Sequence, residues 1–336
     1  MVSRRRKLVI SAVAAIALVV AAAAACMVGS TSVGLSEIIA LITGGEISDS
    51  ARNILINVRI PRVAAALLAG SALAVAGVLI QGVLDNPLAS PNIIGINAGA
   101  GFLVLLSASL LPHLFWLPQI AAFVGALISA AFIFGIAMSA KSSRLTVVLA
   151  GIAITAIFGA GMNTILIIDP SAYVASSTFL VGGFHSGLRF IQIVGPAITI
   201  LPCIFLAIAV SGKLNIMMLG DQTAHSLGMH VARTRLLLLG LASLLAGAAV
   251  SIAGLLSFVG LIVPHLMRFF VGHDNRIVAP LSAVVGAAFV VACDLLARVM
   301  FAPYEIQVGI IMAFLGGPFF IYLILKNRRG LGAKND

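Results

Sequence analysis

Charged residues are scarce in this sequence of 336 residues. Asp, Glu, Lys and Arg make up 9% of it, whereas 61% of the residues are hydrophobic. Soluble globular proteins carry about 25% charged residues, so this composition, with its mean hydropathy of +1.19, excludes that class. The formal net charge of +10 does not indicate nucleic-acid binding, because the basic residues flank apolar runs. The positive-inside rule of membrane proteins accounts for that placement.

Cysteine is also rare. The three cysteines lie in or beside apolar runs and form no metal-binding or redox spacing: Cys26, Cys203 and Cys293. We interpret them as small buried hydrophobic residues. No metal site and no bound cofactor is predicted in the chain.

A phosphate-binding loop is absent from the sequence as well. The pattern G-x-x-x-x-G-K-[ST] does not occur, and Gly212–Lys213 is followed by Leu214. The chain is therefore predicted not to be an enzyme, and any ATP and magnesium would be bound by a partner subunit. An intramembrane hydrolase is an alternative, but it needs paired catalytic groups, and we find no Ser–His or His–carboxylate constellation in facing spans.

Apolar runs of about 20 residues, enough to cross ~30 Å of hydrocarbon as a helix, recur along the whole chain. They predict an all-α polytopic membrane protein with one transmembrane domain over residues 1–336. The ten expected spans are roughly 8–28, 61–84, 93–111, 116–140, 144–168, 191–211, 234–253, 255–270, 278–298 and 307–326. If both termini are cytoplasmic, 15 of the 20 Lys and Arg residues fall on that side, as the positive-inside rule requires.

Two segments resemble each other and indicate an internal repeat. Leu67–Gly77 reads LLAGSALAVAG and Leu244–Gly254 reads LLAGAAVSIAG, and the same offset aligns Pro87 with Pro264. The segments fall in the second and seventh spans and therefore run in opposite directions across the membrane. This is typical of an inverted repeat of five helices, which in transporters places the pathway at the repeat interface.

A polar stretch, Leu214–Arg235, interrupts the apolar pattern. Its polar side chains have no partners in hydrocarbon, so the stretch is predicted to lie in water at one membrane face. Asp221 or Thr223 is expected to cap a short helix that ends at Gly228. The alternative is a solvated loop that only joins two spans.

Three blocks of residues carry a resemblance to a known family. The first block starts at Arg59–Ile–Pro–Arg62 and continues through Gly70–Gly77 and Asn86–Pro91 to Ala100. The second block is Leu219–Gly228. The third block starts at Phe258–His265 and continues through Arg268, Asp294 and Arg298 to Gly316–Pro318. They resemble the permease subunits of binding-protein-dependent ABC importers for iron–siderophores, haem and cobalamin. The resemblance covers about residues 50–326. It implies a type II importer fold of ten helices in the bacterial inner membrane, a homodimer, two cytoplasmic ATPase subunits and an external substrate-binding protein.

The resemblance also assigns roles to particular residues. It implies ATPase coupling through a cytoplasmic loop at about 214–235, by Asp221, Thr223, Ala224, Leu227, Gly228 and Met229. It implies docking of the binding protein on three arginines at the outer face, Arg59, Arg62 and Arg298. It implies a cytoplasmic gate of small or polar residues, Asn86, Leu88, Ser142 and Ser143.

Simpler interpretations of these residues stay open at this point. Arg59 and Arg62 are also consistent with snorkelling to the membrane interface. Arg298 is also consistent with a pair along the helix with Asp294, four residues earlier. The gate residues are consistent with ordinary turn chemistry.

The substrate and the energy source are open as well. The motifs are shared by importers of iron–siderophores, haem, cobalamin and oxyanions. An ion-coupled secondary transporter is the main alternative, and such a protein normally needs intramembrane carboxylates. Only Asp294 lies deep enough in a span to qualify.

Overall fold

Every regular element in the part of the chain that the structure describes is a helix. The computed structural model describes residues 3–29, 34–45, 47–92, 94–114, 116–139, 144–184, 187–302 and 304–332, and no strand occurs among them. The helices are α1 (Arg4–Met27), α2 (Leu35–Thr43), α3 (Asp49–Ile54), α4 (Ile60–Leu84), α5 (Ile96–Leu110), α6 (Leu117–Ser139), α7 (Arg144–Ile168), α8 (Pro170–Val181), α9 (Phe190–Met217), α10 (Asp221–Ser226), α11 (Val231–Ala253), α12 (Val259–Val271), α13 (Asn275–Val299) and α14 (Val308–Gly332). A π-helical turn, Leu55–Arg59, joins α3 to α4.

Each predicted span coincides with a helix. Seven of the helical segments within the described ranges are long and apolar enough to cross a membrane, and three shorter apolar helices, Ile96–Leu110, Val259–Val271 and Val308–Leu323, lie at other predicted spans. The class of all-α polytopic membrane protein is thus confirmed. Helices α2, α3 and α8 were not predicted, because at 9, 6 and 12 residues they are too short to register as spans.

Helix α4 is the centre of the bundle and is buried along most of its length. Its small side chains let neighbouring helices approach closely, as the packing of helices in lipid requires. A Cβ atom on Gly70 would overlap the carbonyl group of Gly286 in α13, and one on Gly77 would overlap that of Gly260 in α12. These glycines therefore mark backbone-to-backbone contacts between α4 and two helices that lie about 200 residues later in the chain.

Helix α13 connects the two ends of the bundle. At its start, Nδ2 of Asn275 donates a hydrogen bond of 2.8 Å to Oδ1 of Asn215 near the end of α9. Near its other end, Asp294 pairs with Arg62 in the first turn of α4. The 25 residues of α13 span about 37 Å at a rise of 1.5 Å per residue. We call these two ends the α10 end, because α10 follows α9 there, and the Arg62 end.

The predicted inverted repeat is confirmed in direction but not in full register. Helix α4 starts at the Arg62 end, whereas α11 starts beside α10, so the two repeat-related helices run in opposite directions. Pro87 lies in the turn after α4, whereas Pro264 lies inside α12. The ungapped alignment beyond Gly77 is therefore wrong. Helix α4 continues past Gly77 to Leu84, whereas α11 ends just before the aligned Gly254, where φ is +67°.

Candidate functional site: two ends of the bundle

The short helix α10 ends in a Schellman motif at Gly228. The N–H of Gly228 donates to the carbonyl of His225 at 2.9 Å, and the N–H of Met229 donates to that of Ala224 at 3.1 Å. The φ angle of Gly228 is +80°, the left-handed conformation that this motif requires and that glycine adopts without steric cost. The predicted stop of the helix at Gly228 is confirmed.

The predicted side-chain cap at the start of α10 is wrong. The residue before the helix is Gly220, and no side-chain cap hydrogen bond is made there. Thr223 is exposed within α10. The carboxylate of Asp221 instead accepts two hydrogen bonds of 2.9 Å from Nη2 of Arg235 in α11. The Arg235 side chain is 8% exposed and that of Asp221 is 51% exposed, so this pair anchors the surface helix to a buried group of the bundle.

The surface that α10 offers to a partner is apolar in part. Leu219 and Leu227 are 61% and 62% exposed, whereas Ala224 is fully buried beneath the helix. Met229 is half-buried and packs against the core. Leu227 was predicted as a contact and is available for one. Leu219 was not predicted as a contact, although its position as an apolar residue within the polar stretch Leu214–Arg235 is a signal that could have found it.

At the Arg62 end, one carboxylate joins two of the three arginines predicted for docking. Asp294 Oδ1 accepts from Nε of Arg62 at 3.1 Å, and Asp294 Oδ2 lies 3.2 Å from Nε of Arg298. Asp294 itself is 1% exposed. The predicted pair of Asp294 and Arg298 is confirmed, and the contact with Arg62, 232 residues away in the sequence, was missed.

Arg62 also binds a second carboxylate, that of Glu305 between α13 and α14. Nη1 of Arg62 donates to Oε2 of Glu305 at 2.8 Å. The Glu305 side chain is 39% exposed, in contrast to the 2% of Asp294. Arg62 is therefore bound by the buried carboxylate of Asp294 on one side and by the partly exposed carboxylate of Glu305 on the other.

Arg59 and Arg298 close the C-terminal end of α1. Nη1 of Arg59 donates to the carbonyls of Cys26 and Met27 at 2.7 and 2.8 Å. Arg298 donates from Nη2 to the carbonyl of Ala25 at 3.1 Å and from Nη1 to that of Val28 at 3.2 Å. The last carbonyls of a helix lack internal partners, and cationic side chains satisfy them while interacting favourably with the helix dipole.

The interface-snorkelling interpretation of Arg59 and Arg62 is wrong. Both residues are buried, at 4% and 6% exposure, and their guanidinium groups bind groups of this chain rather than reach outward. The docking role of the three arginines stays a prediction. A partner that reaches them must first displace the groups of this chain that they bind.

At the α10 end, the region of the predicted gate surrounds a cavity of about 390 Å³. Asn86, Gln81, His265 and Arg268 are among its lining residues. Asn86 Oδ1 accepts from the N–H of Leu88 at 2.9 Å, which closes an Asx turn. Leu88 packs against a small apolar cluster around Leu261, Ile262 and Leu323. The turn chemistry is thus present, and the gate role stays a prediction.

Other predicted features have simpler outcomes. Ser142 and Ser143 lie outside the described residues. His265 packs edge-to-face against Phe319 with ring centroids 5.8 Å apart. Within the described ranges, no group of three metal-ligating side chains occurs.

The two ends lie at opposite limits of a helical bundle that is long enough to cross a membrane. The profile of the FecCD transport family matches residues 16–326. This chain belongs to that family.

Relatives of known name support the same assignment. The hemin transport system permease protein HmuU of Yersinia pestis is 36% identical over 306 residues, covering 89% of this chain and 92% of the relative. The cobalamin import system permease protein BtuC of Halobacterium salinarum is 36% identical over 281 residues, covering 83% and 75%. A solved structure described as an inward-facing conformation of an ABC transporter, assigned to the metal-chelate type, has a TM-score of 0.84 at 27% identity and covers 94% of this chain and 99% of its own. The resemblance to ABC importer permeases that the sequence indicated is confirmed.

Proposed function

We propose that this chain is the membrane-spanning permease subunit of an ABC importer that carries an iron chelate, either an iron–siderophore complex or haem. The relative named for hemin transport supports this proposal, as do relatives named for iron–hydroxamate and iron–dicitrate transport. Cobalamin is the second candidate substrate, supported by the relative named for its import. The assembly we propose is a homodimer in the bacterial inner membrane, with both termini in the cytoplasm.

The observation that carries the mechanism is the exposed helix α10 with its buried anchor. Two exposed leucines, Leu219 and Leu227, offer apolar contacts of the kind that seat a short helix in a partner's groove. The pair of Asp221 and Arg235 links that helix to α11, which packs against α4 at the centre of the bundle. We propose that two cytoplasmic ATPase subunits, which bind ATP and magnesium, push on this helix. The bundle then alternates between outward-open and inward-open states.

The gate in this proposal lies beside the cavity at the α10 end. Asn86 and Leu88 stand in the turn that follows the central helix α4, so a shift of α4 against α12 would move them directly. The other two residues of the proposed gate, Ser142 and Ser143, follow α6 in the sequence.

Ion-coupled transport is less well supported, because its one candidate carboxylate is already paired. Asp294 is buried between Arg62 and Arg298. A carboxylate that carries protons or sodium must exchange its partner during each cycle, whereas removal of Asp294 would leave two buried cations with fewer partners.

Reconstitution into vesicles tests the proposal. The chain is inserted with its ATPase subunits, and uptake of an iron–siderophore, haem and cobalamin is compared in the presence of the binding protein. We expect ATP-dependent uptake of an iron chelate that persists when the ion gradients are collapsed. Uptake that follows an ion gradient without ATP would contradict the assignment, and uptake of cobalamin alone would replace the proposed substrate with the second candidate.

A further inference from the structure

The arginine that is predicted to bind an external carboxylate already binds an internal one. Nη1 of Arg62 donates to Oε2 of Glu305 at 2.8 Å, while Nε and Nη2 of Arg62 lie 3.1 and 3.0 Å from Oδ1 of Asp294. Arg62 is 6% exposed. A partner's side chain therefore has no open route to this guanidinium while Glu305 stays in place.

The two carboxylates on Arg62 differ in how easily they can leave. Asp294 lies on α13, is 1% exposed and also pairs with Arg298, so its departure would leave two buried cations with fewer partners. Glu305 lies between α13 and α14, with 39% of its side chain in solvent. A rotation of the Glu305 side chain into water costs less than the departure of Asp294, since the Glu305 carboxylate is already partly hydrated and Arg62 keeps its contacts with Asp294.

The charges of the cluster favour a carboxylate as the replacement. Arg59, Arg62 and Arg298 carry three positive charges, and Asp294 and Glu305 carry two negative charges, so the cluster has a net charge of +1. Without the Glu305 carboxylate the net charge is +2. An incoming carboxylate restores both the charge balance and the hydrogen bond to Nη1, so this nitrogen need not remain buried without an acceptor.

We infer that Glu305 holds the position on Arg62 that a carboxylate of the binding protein takes during docking, so that docking is an exchange of one carboxylate for another. The inference rests on the proposed function, because it presumes a binding protein. It explains why the predicted docking arginines are buried: the chain keeps them paired until a partner with an acidic side chain arrives. Arg62 is then the exchanging residue, whereas Arg59 and Arg298 hold α1.

The test measures the affinity of the binding protein that supports uptake for the permease–ATPase complex in lipid nanodiscs. The variant Glu305→Gln removes the competing charge, and we expect docking to tighten by about 3- to 10-fold, with the change mainly in the association rate. Glu305→Asp keeps the charge but withdraws the carboxylate from Arg62 by one methylene, and we expect it to tighten docking to a smaller extent. Both variants are first checked for unchanged thermal stability, which is expected because Glu305 is partly exposed.

The matched control is Asp49→Asn, which removes the same charge from an exposed position at the start of α3. Asp49 precedes the π-helical turn that leads to the Arg62 end, and we expect no change in docking beyond the general charge effect. Equal effects of Glu305→Gln and Asp49→Asn would overturn the inference, as would a Glu305→Gln variant that docks like the wild type. If the wild-type complex itself binds no binding protein, the proposed function fails instead, and the two failures are distinguishable.

Discussion

The side-chain amide of Gln81 completes a hydrogen bond that Pro264 removes. Nε2 of Gln81 donates at 3.0 Å to the carbonyl oxygen of Gly260, four residues before Pro264 inside α12. Proline has no N–H, so this carbonyl lacks its usual helical donor. The Oε1 atom of Gln81 accepts in turn from Arg268, so one glutamine of α4 satisfies two buried groups of α12.

Replacing Gln81 by leucine should therefore destabilise the protein. The change leaves the Gly260 carbonyl and one Arg268 nitrogen without these partners, and each such loss costs about 1–3 kcal/mol. Thermal unfolding of the purified protein in detergent measures the effect. Gln222→Leu, at an exposed position of α10, is the control, and an equally large effect there would refute the argument.

The glycine contacts predict opposite signs for two alanine substitutions. Gly77→Ala places a methyl group into the backbone of Gly260, and overpacking of this kind costs about 1–3 kcal/mol. Gly240→Ala, within α11, meets no atom within 4 Å, and the higher helix propensity of alanine adds up to about 1 kcal/mol. Equilibrium unfolding of both variants should show a loss for the first and no loss for the second. Equal behaviour would contradict the close approach of α4 and α12.

The carboxylate that holds Arg62 and Arg298 should be important for stability. Asp294→Asn removes the charge that compensates two buried arginines, and breaking a buried pair costs about 3–5 kcal/mol. The control Asp49→Asn loses the same charge at the start of a surface helix and should cost less than about 1 kcal/mol. The difference in melting temperature between the variants is the measurement, and an Asp294→Asn variant as stable as the control would show that the pairs contribute nothing.

Position 228 should tolerate asparagine better than valine. The left-handed conformation costs a β-branched residue about 1–2 kcal/mol, whereas asparagine adopts it more readily. Since a Cβ at position 228 meets no atom within 4 Å, only backbone strain separates the two variants. We expect Gly228→Val to insert normally but to lower uptake per ATP hydrolysed, and Gly228→Asn to remain close to the wild type. Normal coupled uptake by Gly228→Val would refute the coupling role of this helix.

The link between Asp221 and Arg235 predicts a charge-swap rescue. Asp221→Arg and Arg235→Asp, made singly, should each reduce uptake per ATP, because each places two like charges where an ion pair stood. The double variant restores opposite charges and should recover part of the loss. Uptake and ATP hydrolysis measured in the same vesicles decide the matter: a double variant as impaired as the single ones would mean that the pair does not transmit motion.

The span limits could be predicted because apolar runs of membrane length are a local property of the sequence. The prediction for α7, 144–168, agrees with the helix Arg144–Ile168. Local spacing also identified the pair of Asp294 and Arg298 and the stop at Gly228. The bonds of Arg62 with Asp294 and Glu305 join residues more than 230 positions apart, and no local pattern encodes such a contact. The partner of Asp221 was missed for a related reason: a helix-capping residue and a residue that pairs with the next helix look alike in sequence.

The attachment of α1 has a consequence for biosynthesis. Its last carbonyls are held by Arg298, a residue that the ribosome adds about 270 positions later. The first helix is therefore synthesised long before Arg298. In the interval, Arg59 is the one of these two arginines that can bind its last carbonyls. Final seating of the first helix is thus a late event in the maturation of the nascent chain. Truncations that end before α13 should therefore leave the end of α1 bound by Arg59 without the contribution of Arg298.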